Sequence, residues 1–281
     1  MIATTVISEG AGDHSAAERH PRPSSWVVSH GVGARRLAGV VPLLVVWEVL
    51  SVTGVLDPQT LAGPSSVVST AGHLIADGEL QSNLWVSLQR VLWGLLFGVS
   101  IGAALAVLSG LTLLGEAVVD GPMQIFRALP ILALQPLFIV WFGIGETMKV
   151  ALIAFAVAFP IYINTYGGIR GVDRRFVELA HGVRLSRMQL IRRVVLPGAL
   201  PDFLVGLRYS LAISWLVLIL SEEVNANSGI GYLITQAGLS GETNIIVVCL
   251  AVYGVLGLLS DLLVRLIERR ALAWRQGLVA S

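Results

Sequence analysis

Residues 173–201 read DRRFVELAHGVRLSRMQLIRRVVLPGALP. Six arginines, Arg174, Arg175, Arg184, Arg187, Arg192 and Arg193, surround the single Glu178, and the runs on either side are almost free of charge. Asp173 is placed to cap a short helix over 174–181 that Gly182 can end. On it Phe176, Val177, Leu179 and Ala180 share one face, with Glu178 and His181 on the other. Ser186 and Gln189 have the spacing of a capping box, so a second helix is expected from Arg187. Met188, Leu190, Ile191, Val194 and Val195 span one face of it, opposite Gln189, Arg192 and Arg193. A residue before proline is pushed out of the helical region, so Leu196-Pro197 predicts its end.

The rest of the chain shows why this charged segment stands alone. Of 281 residues 55% are hydrophobic and 13% charged, with a mean hydropathy of +0.78. Soluble domains carry about 25% charged residues, so an integral membrane protein is predicted. The net charge of +1 gives no reason to expect a nucleic-acid partner. Cys249 is the only cysteine and lies in an apolar run, which excludes an intrachain disulfide or a cysteine-based zinc site, and no metal site is expected. Lys149, the only lysine, sits in Met-Lys-Val and not in the Gly-Lys-Ser/Thr of a P-loop. The chain is therefore not expected to hydrolyse ATP or to be an enzyme.

Residues 1–36 are polar and read as a disordered tail, with no apolar core of a secretory signal. Six apolar segments follow, at 37–55, 91–114, 125–142, 148–166, 203–220 and 245–264. Each approximates the roughly 17–25 residues a helix needs to cross a bilayer, and backbone groups in lipid must bond internally. An all-α, six-span domain over 37–275 is predicted, with a cytoplasmic loop at 170–199 and a short tail at 276–281. Arginines gather before the first span, in 170–193 and after the sixth, while the connections 56–83, 143–147 and 221–244 have no Lys or Arg. The positive-inside rule then places both termini and the 173–201 stretch in the cytoplasm.

Within the spans, Gly94, Gly98, Gly102, Ala106 and Gly110 form a ladder of small residues, suited to close packing against this chain or a second copy. Pro130, Pro136 and Pro160 predict kinks or freed carbonyls. Glu48 lies within the first span and Arg90 at the outer edge of the second, and each is expected to need a partner. An ion pair between them is predicted, with a proton relay as the alternative. Outside, Gly63-Pro64-Ser65-Ser66 leads into an apolar stripe that reads as a short surface helix. The connection holding Glu222, Glu223, Asn225 and Asn227 ends at Gly229-Ile230-Gly231, which reads as a glycine hinge beside a surface or re-entrant helix.

Glu178-Leu179-Ala180, with Leu196-Pro197 closing the segment, resembles the coupling loop of ABC importer permeases. Residues 61–66 (LAGPSS), 87–91 (SLQRV), Pro136-Leu137, 141–146 (WFGIGE), 223–233 (EVNANSGIGYL) and 268–275 (ERRALAWR) resemble the sulfonate, taurine and nitrate branch, the last string most of all aliphatic sulfonate permeases. The resemblance implies a type I importer permease acting as two copies with two ABC ATPase subunits and an extracytoplasmic substrate-binding protein in a bacterial cell membrane. ATP and magnesium belong to the ATPase, and no cofactor to this chain. It implies ATPase-coupling roles for Glu178, Ala180, Gly182, Arg184, Arg187, Leu196 and Pro197. At Arg184 the family has glycine, which implies a shifted inter-helix turn here.

Polar and aromatic residues in or at the ends of the third and fifth spans, Gln135, Trp141, Ser210, Ser214, Glu222 and Glu223, are candidates for a substrate path. An ion-coupled secondary transporter is the alternative class. It would need titratable groups near mid-membrane, where Glu48 alone qualifies.

Overall fold

In the computed structural model, residues 31–57, 60–224 and 226–273 are described. The polar segment 1–30, Asn225 and the tail 276–281 lie outside them, so the readings made there concern undescribed residues. Two compact units are distinguished, Met1–Val46 and Trp47–Ser281. What is described of the first is the opening part of helix α1 (Gly31–Val52), which starts six residues ahead of the expected span.

In the second unit the described residues fold into helices alone. They are α2 (Pro64–Ala76), α3 (Glu79–Leu111), α4 (Leu113–Ala128), α5 (Ile131–Phe142), α6 (Glu146–Arg170), α7 (Arg174–Gly182), α8 (Arg187–Glu223), α9 (Ile230–Ser240) and α10 (Thr243–Ala271). Four of these, α3, α6, α8 and α10, are long and apolar enough to cross a membrane unbroken. The bent pair α4–α5 makes up to one more, and the apolar part of α1, Val41–Val52, is shorter than a crossing.

The third predicted span is the one that departs most from expectation. Its two helices meet at 97°. The break falls at Leu129, whose extended backbone (ψ 136°) is what the following Pro130 demands. Pro136 opens the next helical turn and needs no kink, because an N-terminal N–H has no partner to lose.

Helix α6 is the centre of the bundle: 56% of its apolar window is buried, against 17–39% for the other unbroken crossings. The glycine ladder makes this close packing possible, and it faces α6 of the same chain. A β-carbon at Gly94 would come within 2.3 Å of Ile153, at Gly98 within 2.6 Å of the Ala154 carbonyl, and at Gly102 within 2.5 Å of the Ala158 carbonyl. At Gly110 it would lie 2.6 Å from Ile169. Across α6, Gly206 of α8 similarly approaches the Pro160 carbonyl. That carbonyl also accepts a hydrogen bond from the Asn164 side chain at 2.8 Å, and α6 runs through Pro160 without a break.

Helices α4 and α6 are joined by a polar strap. Between Glu116 and Asp120 α4 widens into a π-helical turn. From it Asp120 accepts from the Tyr162 hydroxyl (3.1 Å) and Glu116 from the Tyr166 hydroxyl (2.7 Å). Glu116 also pairs with Arg170, the last residue of α6.

Candidate functional site: a buried charge cluster and an arginine-rich helix pair

Two regions gather the functional candidates. The first lies where α3, the start of α6, the end of α8 and the start of α9 meet. Asn83, Ser87 and Arg90 occupy positions i, i+4 and i+7 of α3, hence one face, and all three are buried. Arg90, 3% exposed, sends Nη1 to Glu222 Oε1 at 2.7 Å and to the Ser228 carbonyl at 2.7 Å. Its Nε and Nη2 grip the Glu146 carboxylate at 2.5 and 2.6 Å, a bidentate fork. Lys149 Nζ reaches Glu146 Oε1 at 3.0 Å from the next turn of α6. Two cations and two carboxylates thus balance among elements far apart in sequence.

The same cluster satisfies the opening of α9. A helix N-terminus leaves backbone N–H groups without intrahelical partners. Here Gly229 N–H donates to Asn83 Oδ1 (2.7 Å), Ile230 N–H to Ser87 Oγ (2.9 Å) and Gly231 N–H to Glu222 Oε2 (2.8 Å). Ser87 in turn donates to Glu222 Oε1 at 2.7 Å. Gly229 sits at φ +116°, and a β-carbon there would lie 2.5 Å from the Glu222 carboxyl carbon. The glycine pair is therefore a tightly packed joint and not a free hinge.

Glu48 takes no part in the cluster, so the expected Glu48–Arg90 pair is not formed. Arg90 is satisfied by Glu146 and Glu222. Glu48 Oε2 instead accepts from the Ser65 backbone N–H at 3.1 Å, beside Pro64 in the first turn of α2. A carboxylate is favoured there by the helix dipole.

The six pathway candidates are not brought together. Glu222 belongs to the buried cluster, while Glu223 is exposed. Gln135 donates to the Leu220 carbonyl (3.3 Å), Ser210 to the Val157 carbonyl (3.0 Å) and Ser214 to the Leu211 carbonyl (2.7 Å). Trp141 stands on the wall of a cavity of about 800 Å³ between α3, α4, α5 and α6, with Glu146 at its edge.

The second region is the arginine-rich stretch 173–201. Asp173 Oδ1 accepts from Arg175 N–H at 2.9 Å and opens α7. The capping box is present in full: Ser186 Oγ accepts from Gln189 N–H, and Gln189 Oε1 accepts from Ser186 N–H. The turn between the helices is unshifted. Arg184 itself takes the left-handed conformation, at φ +55°, the one non-glycine residue described with positive φ. Arg184 N–H bonds to the His181 carbonyl and Leu185 N–H to the Ala180 carbonyl, the paired closure of a Schellman motif with Arg184 in the usual glycine place.

Two details of this stretch differ from expectation. Ala180 is buried and Val177 half-buried, whereas Phe176 and Leu179 are 60% and 69% exposed. With Val183 they form an apolar stripe on the outside of α7, beside the exposed Glu178. Nor does the second helix end at Leu196. It passes through a π-helical turn, Ile191–Val195, and continues as one 37-residue helix, Arg187–Glu223. The wider turn moves aside the carbonyl that the Pro197 ring would strike, and leaves the missing N–H at the start of a fresh α-helical register.

Residues 94–272 match the family described as the binding-protein-dependent transport system inner membrane component. The chain is 44% identical over 234 residues to the putative aliphatic sulfonates transport permease protein SsuC of Escherichia coli (strain K12), covering 83% of this chain and 89% of that one. It is 38% identical over 266 residues to the protein of the same description in Bacillus subtilis (strain 168), covering 92% and 96%. In fold it is similar to the crystal structure of an amino acid ABC transporter with histidines, at a TM-score of 0.60, 20% identity and coverage of 71% and 97%. The fold and the arrangement of spans are those of an ABC importer's membrane subunit. This chain belongs to the family of inner membrane components of binding-protein-dependent transport systems, and is a multi-pass, non-catalytic permease subunit.

Proposed function

We propose that this chain forms the membrane path of an ATP-driven importer of small organic anions, with an aliphatic sulfonate as the best-supported substrate. The substrate class rests on the two sulfonate-permease relatives, each matched over most of its length. In this reading two copies pair in the membrane, two ABC ATPases bind beneath, and an extracytoplasmic binding protein delivers the substrate. Both termini and the 173–201 stretch lie in the cytoplasm, as the arginine distribution favours. ATP and magnesium are held by the ATPase.

The observation that carries the coupling role is the exposed stripe of Phe176, Leu179 and Val183 on α7. A capped, rigid helix that turns large apolar side chains outward beside Glu178 and a set of arginines suits a cleft on a partner protein. Glu178 and the stripe meet the ATPase, Ala180 seats α7 on its own chain, and Gly182 and Arg184 shape the turn. Arg187, Leu196 and Pro197 pass movement into α8. An energy source shifts a conformational equilibrium by binding two states unequally, and this pair of helices is where the two states differ in contact.

The test is copurification. A P-loop ATPase should copurify with the wild-type chain and be lost from Glu178→Arg, whose monomer remains folded. Transport that persists without any ATPase overturns the reading. Binding assays of the partner binding protein against alkanesulfonates, taurine and nitrate fix the substrate.

A further inference from the structure

Glu146 is the member of the charge cluster that is not enclosed. Its side chain is 61% exposed and borders the 800 Å³ cavity, while Arg90 and Lys149 behind it are each 3% exposed. The cavity is otherwise lined by apolar and aromatic side chains, among them Trp93, Phe97, Phe138, Trp141 and Phe155, with Thr147 the other polar residue. A pocket that is apolar along its length, with a few convergent polar groups at one end, is the form of a small-ligand site. Behind the carboxylate stand three donors: Arg90 Nε, Arg90 Nη2 and Lys149 Nζ, at 2.5, 2.6 and 3.0 Å. A carboxylate has two oxygens, so Glu146 Oε1 serves two of the donors at once. A sulfonate has three oxygens, one for each.

We propose that Glu146 is a tethered stand-in for the substrate anion, and that an aliphatic sulfonate displaces it onto Arg90 and Lys149 with its alkyl chain in the aromatic cavity. This rests on the sulfonate reading given above and names its site. The exchange conserves charge, since one monoanion leaves the two buried cations as another arrives. Arg90 keeps Nη1 on Glu222 and Ser228 throughout, so the cluster stays assembled. Glu146 is the first residue of α6, preceded by the turn 143–145, and its freed carboxylate turns toward solvent by side-chain rotation. A tethered competitor acts at an effective concentration of order millimolar, which keeps the site weak and hence releasable.

The experiment uses the permease complex as purified, in lipid nanodiscs without the binding protein, and titrates hexanesulfonate against tryptophan fluorescence. Hexan-1-ol and ethanesulfonate serve as headgroup and chain-length controls. Hexanesulfonate should quench saturably, hexan-1-ol should not saturate, and ethanesulfonate should bind more weakly. Glu146→Gln should lower the hexanesulfonate midpoint by about tenfold or more, and Lys149→Met should raise it by a similar factor. Trp141→Phe, on the cavity wall, should reduce the quench amplitude. If hexan-1-ol behaves as hexanesulfonate does, or if the midpoints of the variants stay within about twofold of wild type, the site is wrong. Should neither charge variant fold, the wild-type comparison of the three ligands decides alone. Hexanesulfonate uptake by the full system with its binding protein is measured in parallel. Uptake without cavity binding rejects this site and leaves the transport reading standing, whereas no uptake of any alkanesulfonate rejects the transport reading itself.

Discussion

Glu222 Oε1 and Arg90 Nη1 meet at 2.7 Å, with Glu222 1% and Arg90 3% exposed. Removing Glu222 leaves Arg90 and Lys149 to share the one carboxylate of Glu146, an imbalance that should cost up to the roughly 3–5 kcal/mol of a broken buried pair. Glu222→Leu should therefore lower the thermal midpoint of the purified protein strongly, and should also release the α9 opening, because Gly231 and Ser87 lose their acceptor. Glu222→Gln keeps an oxygen acceptor and should lie between wild type and Glu222→Leu. Equal midpoints for wild type and Glu222→Leu contradict the pairing.

The contact of Gly98 with the Ala154 carbonyl makes a second expectation. Gly98→Val forces α3 away from α6 and should cost about 1–3 kcal/mol, as overpacking does. Gly72, on α2, has open space around it, so Gly72→Ala should be neutral or stabilising by about 0.4–1 kcal/mol. Thermal unfolding of the two single variants checks the contrast.

Arg184 holds a left-handed conformation that costs an L-residue roughly 1–2 kcal/mol and a glycine almost nothing. Arg184→Gly should raise the stability of the α7–α8 turn by about 1 kcal/mol, seen as slower proteolysis between 182 and 187. Arg184→Val, β-branched, should speed the same cleavage.

Tyr166 is bonded to the π-helical turn of α4 through Glu116. Tyr166→Phe should loosen that turn without unseating α6. Hydrogen exchange of the amides in 115–121 should quicken, while those in 150–160 stay protected. Unchanged exchange in 115–121 means the strap is not what holds the turn.

The local devices of the 173–201 stretch are readable because each depends on neighbours in sequence. Asp173, Ser186 and Gln189 form the caps their spacing predicts. The bend at Leu129-Pro130 was legible as a proline but not as a right-angled break, since the angle depends on what α4 and α5 pack against. Glu48 and Arg90 read as charges that need partners, but they do not partner each other. Sequence shows the need for a counter-charge and not the fold that delivers it. Arg90 finds Glu146 and Glu222, 56 and 132 residues away. One signal is present in the sequence: Asn83, Ser87 and Arg90 stand at i, i+4, i+7, a polar line on one face of the helix that runs into the apolar span. The π-helical turn at Ile191–Val195 had no such signal, and without it Pro197 reads as a stop.

That turn has a mechanical meaning. Because α8 does not end at Pro197, Arg187 at one end and Glu222 near the other belong to a single rod of 37 residues, about 55 Å long at 1.5 Å per residue. Between Arg187 and Glu222 the backbone stays helical, passing the π turn and Pro201 on the way. The rod is a lever whose far end is bolted to Arg90, and Arg90 in turn grips Glu146 at the mouth of the cavity. Tilting one end must either carry that bolt along or shear it.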